Sequence, residues 1–273
     1  MVATHQSFAI TLSAGWRADR RILRSRSTRK GVFVSLPRVK LVKKEEVAER
    51  TMAVHFEKPQ GFEFKAGQFA DYTILNPSQT DDEGNIRGFS FASAPFEHHL
   101  VSVTRLRDTA FKRVLKELPL GTELELDAPY GGFTLHNKAS RPAVFLTGGI
   151  GITPVRSIVL QAAHDHTAHK ITVLYSNARP EDAAFLDELT LFAETSENLT
   201  FVPTMTKPEK TLREWSGETG RIDKDMLSRY VDDLTAPIYY LCGPAGLVTA
   251  MRSVLNSAGV DDDDIRTEEF TGY

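Results

Sequence analysis

The sequence predicts two domains: a six-stranded antiparallel β-barrel, followed by an α/β unit built on a doubly wound parallel sheet. Three observations predict it. Between Val39 and Asp127, six short segments of alternating polar and apolar residues are separated by Gly, Pro, Asn and Asp, the spacing of a small antiparallel barrel. From Pro142 onward the rhythm changes to strand, helix, strand, helix, which implies a parallel sheet with ligand sites at the carboxyl ends of its strands. At the head of that region the apolar run Ala143-Val144-Phe145-Leu146 leads through Gly148, Gly149 and Gly151 into a helix. Such a turn lets a phosphate reach bare backbone N–H groups.

Taken in order, the chain opens on a basic leader, residues 1–37. The formal net charge of −3 over 273 residues divides into about +8 for residues 1–40 and about −11 for the rest. The leader lacks the interleaved aromatics of a nucleic-acid-binding arm, and no apolar stretch follows its charges as in a secretory signal. It reads as a disordered extension, with an organelle transit peptide as the alternative.

The first domain, residues 38–135, is expected to hold strands at Val39–Val47, Thr51–Glu57, Gln68–Leu75, Arg87–Ala92, Leu100–Arg107 and Glu123–Asp127. Its one helix is expected at Thr109–Leu118, with Asp108 as N-cap. A polar link, His136–Arg141, leads to the second domain, residues 140–273. Strands are expected there at Ala143–Thr147, Ile171–Ser176, Leu199–Met205, Ile238–Cys242 and Ile265–Phe270. The intervening helices are Pro154–His164, Glu181–Ala193, Lys224–Val231 and Ala245–Ala258. Thr153 can cap the first of them, and Pro154 falls in its first turn, where proline costs no hydrogen bond.

Composition excludes several classes. Residues are 41% hydrophobic and 25% charged, and no apolar run approaches the ~20 residues of a membrane helix. The single cysteine, Cys242, rules out a disulfide framework and a four-cysteine iron–sulfur cluster within these residues. His164, His166 and His169 are close in sequence, but their spacing does not gather them on one helix face, and they are expected to cap an exposed helix end. No Gly-x-Ser-x-Gly elbow points to a hydrolase.

Two further stretches carry chemistry. Arg87-Gly88-Phe89-Ser90 begins a barrel strand; an arginine can pair with a pyrophosphate, an aromatic can stack on a flat ring, and a hydroxyl can bond a ring nitrogen. Leu241-Cys242-Gly243-Pro244-Ala245-Gly246 closes a strand and opens the helix that carries Met251, putting Cys242 at the carboxyl edge of the sheet.

With their order and spacing, these motifs resemble the ferredoxin–NADP reductase family, whose patterns are Arg-x-Tyr-Ser, Gly-Gly-x-Gly-Ile-Thr-Pro and Cys-Gly-Pro…Met. The resemblance covers roughly residues 38–273. Phe64–Phe69, Ala128–Phe133 and Gly220-Arg221-Ile222 echo it more weakly. It implies an FAD-binding barrel followed by an NAD(P)-binding domain.

The resemblance implies roles residue by residue. Arg87 would hold the FAD pyrophosphate, Phe89 (in place of the more frequent tyrosine) would stand against the isoalloxazine, and Ser90 would bond near its N5. Thr104 and Arg105 align with the strand lining the flavin. Ala110, Phe111 and Lys112 align with the turn whose N–H groups meet the FAD phosphates, although glycine and serine are usual there. Gly148, Gly149, Gly151, Ile152, Thr153 and Pro154 would cradle the NADPH or NADH pyrophosphate and ribose. Cys242, Gly243 and Pro244 would sit by the nicotinamide, with Met251 behind them. Ser176, Asn177 and Arg179 follow the second strand, where the adenosine ribose is read; Arg179 could bind a 2′-phosphate, which favours NADP slightly over NAD. At the C-terminus Phe270 and Tyr273 compete to cover the flavin, Phe270 also reading as the end of a core strand, and Glu268 would assist protonation.

The implied activity is a flavin-dependent NAD(P)H oxidoreductase in which Ser90, Cys242 and Glu268 serve the hydride transfer from nicotinamide to FAD. Electrons would leave singly to a ferredoxin, a flavodoxin or an oxygenase component. The alternatives are a sensing module without turnover and an electron-transfer subunit of a larger complex. No nucleic-acid partner or membrane span is expected. The location is expected to be cytoplasmic, or an organelle if residues 1–37 are a transit peptide.

Overall fold

The computed structural model describes residues 36–270; the leader to residue 35, and Tyr273, lie outside the described residues. The antiparallel half contains β1 (Arg38–Ala48), β2 (Thr51–Glu57), β3 (Phe69–Ile74), β4 (Ile86–Ser90), β5 (His99–Arg105) and β6 (Glu123–Tyr130), with helix α1 (Ala110–Glu117) between β5 and β6. The strand order is β4-β3-β6-β1-β2-β5. A bridge between Phe91, just past β4, and Ser102 of β5 joins the two edges, so the sheet closes into the expected barrel and leaves no open edge there. Alternation along the strands turns Leu41, Phe56, Tyr72, Ile74, Leu124 and Leu126 inward, and Phe111, Val114 and Leu115 of α1 plug one end.

The parallel half contains β7 (Ala143–Gly148), β8 (Ile171–Asn177), β9 (Leu199–Met205), the two-residue β10 (Glu218–Thr219), β11 (Ile238–Pro244) and β12 (Ile265–Phe270). Helices α2 (Ile152–His164), α3 (Leu186–Glu194), α4 (Lys224–Tyr230) and α5 (Ala245–Ser257) connect them. The order is β10-β9-β8-β7-β11-β12, every pair parallel. Strict alternation sends Ala143, Phe145, Tyr240 and Cys242 toward α2 and α3, and Val144, Leu146, Tyr239 and Leu241 toward α4 and α5. Both faces are therefore buried, which is why these strands read as continuous apolar runs.

Four expectations are corrected. The N-cap of α1 is Thr109, whose hydroxyl accepts from Lys112 N, while Asp108 pairs with Arg113. Helix α2 begins at Ile152 without a side-chain cap, because the Thr153 hydroxyl turns back to donate to Ile150 O at 2.9 Å. The helix expected over 181–193 is a short 3-10 turn (Pro180–Asp182) followed by α3, broken where Phe185 takes φ +60°. That left-handed residue is held by burial of Ala183 and Ala184 beside it and by the Arg156 guanidinium 4.9 Å from its ring. Finally, the histidines do not all share the exposed helix end: His164, stacked on Phe96, and His166 are exposed at the end of α2 as expected, but His169 is buried edge-on against His136.

Candidate active site

Residues from Pro37 on pack as one compact unit, and the chemistry-bearing residues converge where its two halves meet. In the parallel sheet the chain runs outward from β7 through β8 and β9, then returns to β11 on the other side of β7. This reversal opens a crevice at the carboxyl ends of β7 and β11. The turns bordering it are glycine-tight. A Cβ on Gly151 would lie 2.4 Å from Cys242 O, and one on Gly243, whose φ is +140°, would lie 2.8 Å from Gly148 O. The two turns therefore touch backbone to backbone.

Facing the crevice is a pocket of about 90 Å3 lined by Phe89 and Ser90 of β4, Thr104 and Arg105 of β5, Lys112 of α1, Ile150 and Thr153 of the β7–α2 turn, and Phe270 of β12. Ser90 is buried, and its Oγ lies 3.5 Å from Glu268 Oε1. That distance is within reach but longer than a formed O–H···O bond. Glu268 is the register partner of Cys242 on the neighbouring strand, and Cys242 in turn pairs with Thr147. Three expected reacting residues, from three strands and both halves, are thus brought together.

Their electrostatics follow from burial. Removal from water pushes the Glu268 carboxyl up to about 7, opposed only in part by the Ser90 hydroxyl, and its Oε2 is buried without a partner. Burial, and then the charge of Glu268, hold the Cys242 thiol well above its ordinary value, so this fully buried cysteine is a neutral core residue and not a nucleophile. Lys112 is brought down to about 8 by burial and by the nearby cations Arg107 and Arg87.

The expected phosphate readers are differently employed. Arg87 is drawn to Asp81 and Glu83 at 3.2 and 2.9 Å, and Ala110 N, at the start of α1, donates to Asp81. Phe111 fills the barrel core, so only its backbone reaches the turn. Arg179 is bound by Asp182 and by Glu49 of the β1–β2 turn. Its guanidinium is paired with carboxylates in this structure. Ser176 and Asn177 end β8 beside it, Asn177 buried. Met251 lies in the core with Val248 and Leu255 rather than at the crevice, and Ile152 and Pro154 are buried in the first turn of α2. Phe270, and not only the strand end it was read as, lines the pocket.

Residues 145–253 match the family model for the oxidoreductase NAD-binding domain. Over 86% of its length the chain superposes on a crystallised ferredoxin NADP+ reductase from Neisseria gonorrhoeae with bound FAD and NADP, covering 99% of that chain at a TM-score of 0.71 and 21% identity. The chain has the ferredoxin–NADP reductase fold. It is also 27% identical, over 88% of its length, to the reductase component of propane 2-monooxygenase from Rhodococcus jostii, and 28% identical over 83% to the anthranilate 1,2-dioxygenase electron transfer component from Acinetobacter baylyi. It spans 64% of the length of each of these two relatives. No helix among the described residues is long and apolar enough to cross a membrane.

The motifs of this reductase fold gave no sign of its polar seam. Arg156 of α2 is buried between the halves, donating to Ala92 O at 2.8 Å, to Glu97 at 3.0 Å and to Glu188 at 2.6 Å. Arg105 reaches Asp182 O at 2.9 Å, and Glu49 N donates to Glu181 O. Only the position of Arg156, two residues past the Thr-Pro of the glycine turn, could have drawn attention to it.

Proposed function

We propose that the chain is a flavin-dependent NAD(P)H oxidoreductase that passes a hydride from the nicotinamide to FAD and single electrons to a separate acceptor protein. The observation that carries this reading is the approach of Glu268, register partner of Cys242, to Ser90, which lines the pocket between the barrel and a nucleotide-type crevice. Residues 38–135 are assigned to FAD, and 140–273 to the nicotinamide nucleotide.

The residues present fit such a group: Arg105 and Lys112 of the pocket, with Arg87 acting on Lys112, supply cations for a diphosphate, Phe89 a flat face, and Glu268, next to the pocket residue Ser90, a buried Oε2 with no partner. When bound, FAD supplies a ring that accepts a hydride and gives up electrons one at a time. Ser90 would bond the ring edge, and Cys242 and Gly243 would help position the nicotinamide against it. Gly148, Gly149, Gly151 and Thr153 hold the nicotinamide nucleotide at the start of α2. Glu268, poised near 7, can hold or release a proton at neutral pH. At about 90 Å3 the pocket is well below the ~300–1,000 Å3 that encloses a typical ligand, so Phe270 must swing aside for rings to stack.

NADH is the coenzyme this reading favours, because Glu49 and Asp182 occupy Arg179 and would repel a 2′-phosphate. The acceptor is a one-electron carrier: a ferredoxin, a flavodoxin or an oxygenase component, the last in keeping with relatives named as oxygenase reductase components. A cytoplasmic location belongs to the same reading, in keeping with the relatives named as oxygenase reductase components.

An absorption spectrum of the purified protein, followed by anaerobic additions of NADH and NADPH, tests this. The expected result is a yellow protein bleached faster by NADH. A yellow protein that neither coenzyme bleaches would favour a sensing module, and a colourless one that FAD cannot reconstitute would remove the flavin reading.

A further inference from the structure

Between β3 and β4 the chain carries three carboxylates in quick succession, Asp81, Asp82 and Glu83, and brings Asp81 and Glu83 to Arg87, with Asp81 also at the start of α1. Asp81 does so with specific geometry. One of its oxygens accepts from Arg87 Nη2 at 3.2 Å and the other from Ala110 N at 2.9 Å. A guanidinium on one side and a helix N-terminal N–H on the other is the pair of donors that a phosphate takes. The segment is fastened further: Gln79 Oε1 accepts from Arg113 at 2.9 and 3.2 Å, and Arg87 Nη1 donates to Glu83 O, Gly84 O and Ile86 O.

The surrounding charge explains why a carboxylate settles there. Arg87 and Arg107 both lie close enough to act on Lys112, and the start of α1 adds its own partial positive charge. Without an anion the cluster repels itself. The Ala110 N–H, first among the contacts, holds the Asp81 carboxyl below the ordinary carboxylate range.

We propose that Asp81 is a built-in anion standing where the pyrophosphate of FAD would bind, on a β3–β4 segment that acts as a latch and must swing out before the cofactor seats. The proposal rests on the flavin reading of the pocket. Arg87 and Ala110 N cannot serve a diphosphate and Asp81 at once, and two anions at hydrogen-bond range of one another repel. The latch therefore competes with FAD, and the apparent affinity falls by the fraction of time that it is open. A latch closed nine times in ten weakens binding about tenfold.

The test is a titration of full-length, flavin-stripped protein with FAD, read by flavin fluorescence and absorbance. Asp81→Asn keeps an acceptor for Ala110 N and removes the charge that bridges Ala110 N and Arg87, leaving Glu83 on Arg87; it is expected to bind FAD about tenfold more tightly and to associate faster. Asp82→Asn removes the same charge from the exposed neighbouring position, which makes neither contact, and is expected to match the wild type. Tighter binding in Asp81→Asn alone supports the latch. Unchanged or weaker binding in that variant overturns it while the flavin reading stands, and an equal gain in both variants overturns it in favour of general charge. Wild-type and variant proteins that all fail to take up FAD would overturn the flavin reading, and the latch with it.

Discussion

Replacing Glu268 by glutamine separates what this residue costs the fold from what it gives the chemistry. Its carboxyl is buried and raised from 4.5 to about 7, so below pH ~4.5 both folded and unfolded chains hold the proton and no penalty exists. Between pH ~4.5 and ~7 the unfolded chain ionises and the folded one does not, so stability falls as pH rises; above ~7 the loss is complete and flat. At 1.36 kcal/mol per pKa unit, the full loss is about 3 kcal/mol. Glu268→Gln keeps the shape and an acceptor for Ser90 but cannot ionise. It is therefore expected to exceed the wild type by about 3 kcal/mol at pH 8, equivalent to ~6–12 °C in a chain of this size. Near pH 4.5 the gap should shrink to less than about 0.5 kcal/mol. Thermal melts of both proteins across this range measure it. A gap of the same size at both ends of the range would refute the burial argument. The same variant should lose the limb near pH 7 in the rate at which NADH bleaches the flavin.

Two other substitutions test the seam and the crevice. Arg156→Ala leaves Glu97, Glu188 and Ala92 O without their buried partner and should cost about 3–5 kcal/mol, read by urea unfolding; a loss under ~1 kcal/mol would show that water replaces the guanidinium. Gly151→Ala drives a Cβ to 2.4 Å from Cys242 O and should cost about 1–3 kcal/mol, with nicotinamide-nucleotide affinity falling more than flavin content. Gly246→Ala, where a Cβ meets nothing within 4 Å, is its neutral control.

Much of the backbone was legible because its signals are local. Thr51–Glu57, Leu199–Met205 and Ile265–Phe270 have the bounds read from alternation and apolar runs, and the two glycine-rich motif turns fall at strand ends beside one crevice while Arg87–Ser90 lies within β4. Local signals also misled where two of them coincided. Thr109 and Asp108 are both good caps, and only the path of the chain into α1 chose the threonine. Met251 was read from a motif as a cofactor contact, yet its spacing from Val248 and Leu255 is that of a helix face turned to the core.

What was illegible is the partnership of charges. Arg87 and Arg179 were read as phosphate binders from type and position, and both are held by carboxylates in the folded chain. Glu49 lies 130 residues from Arg179, and Glu97 lies 59 from Arg156, separations at which no periodicity operates. Asp81, however, stands only six residues before Arg87, and it was missed because an acidic run in a turn is ordinarily solvated. What distinguishes it is the second contact, to Ala110 N, 29 residues away, and that contact exists only once α1 has packed its Phe111 into the barrel. The charges at this site are thus arranged by the barrel core. If the latch holds, the core that shapes this site also brings the competing anion into it, and cofactor affinity would be tuned from the β3–β4 segment without touching any residue that would contact the flavin ring.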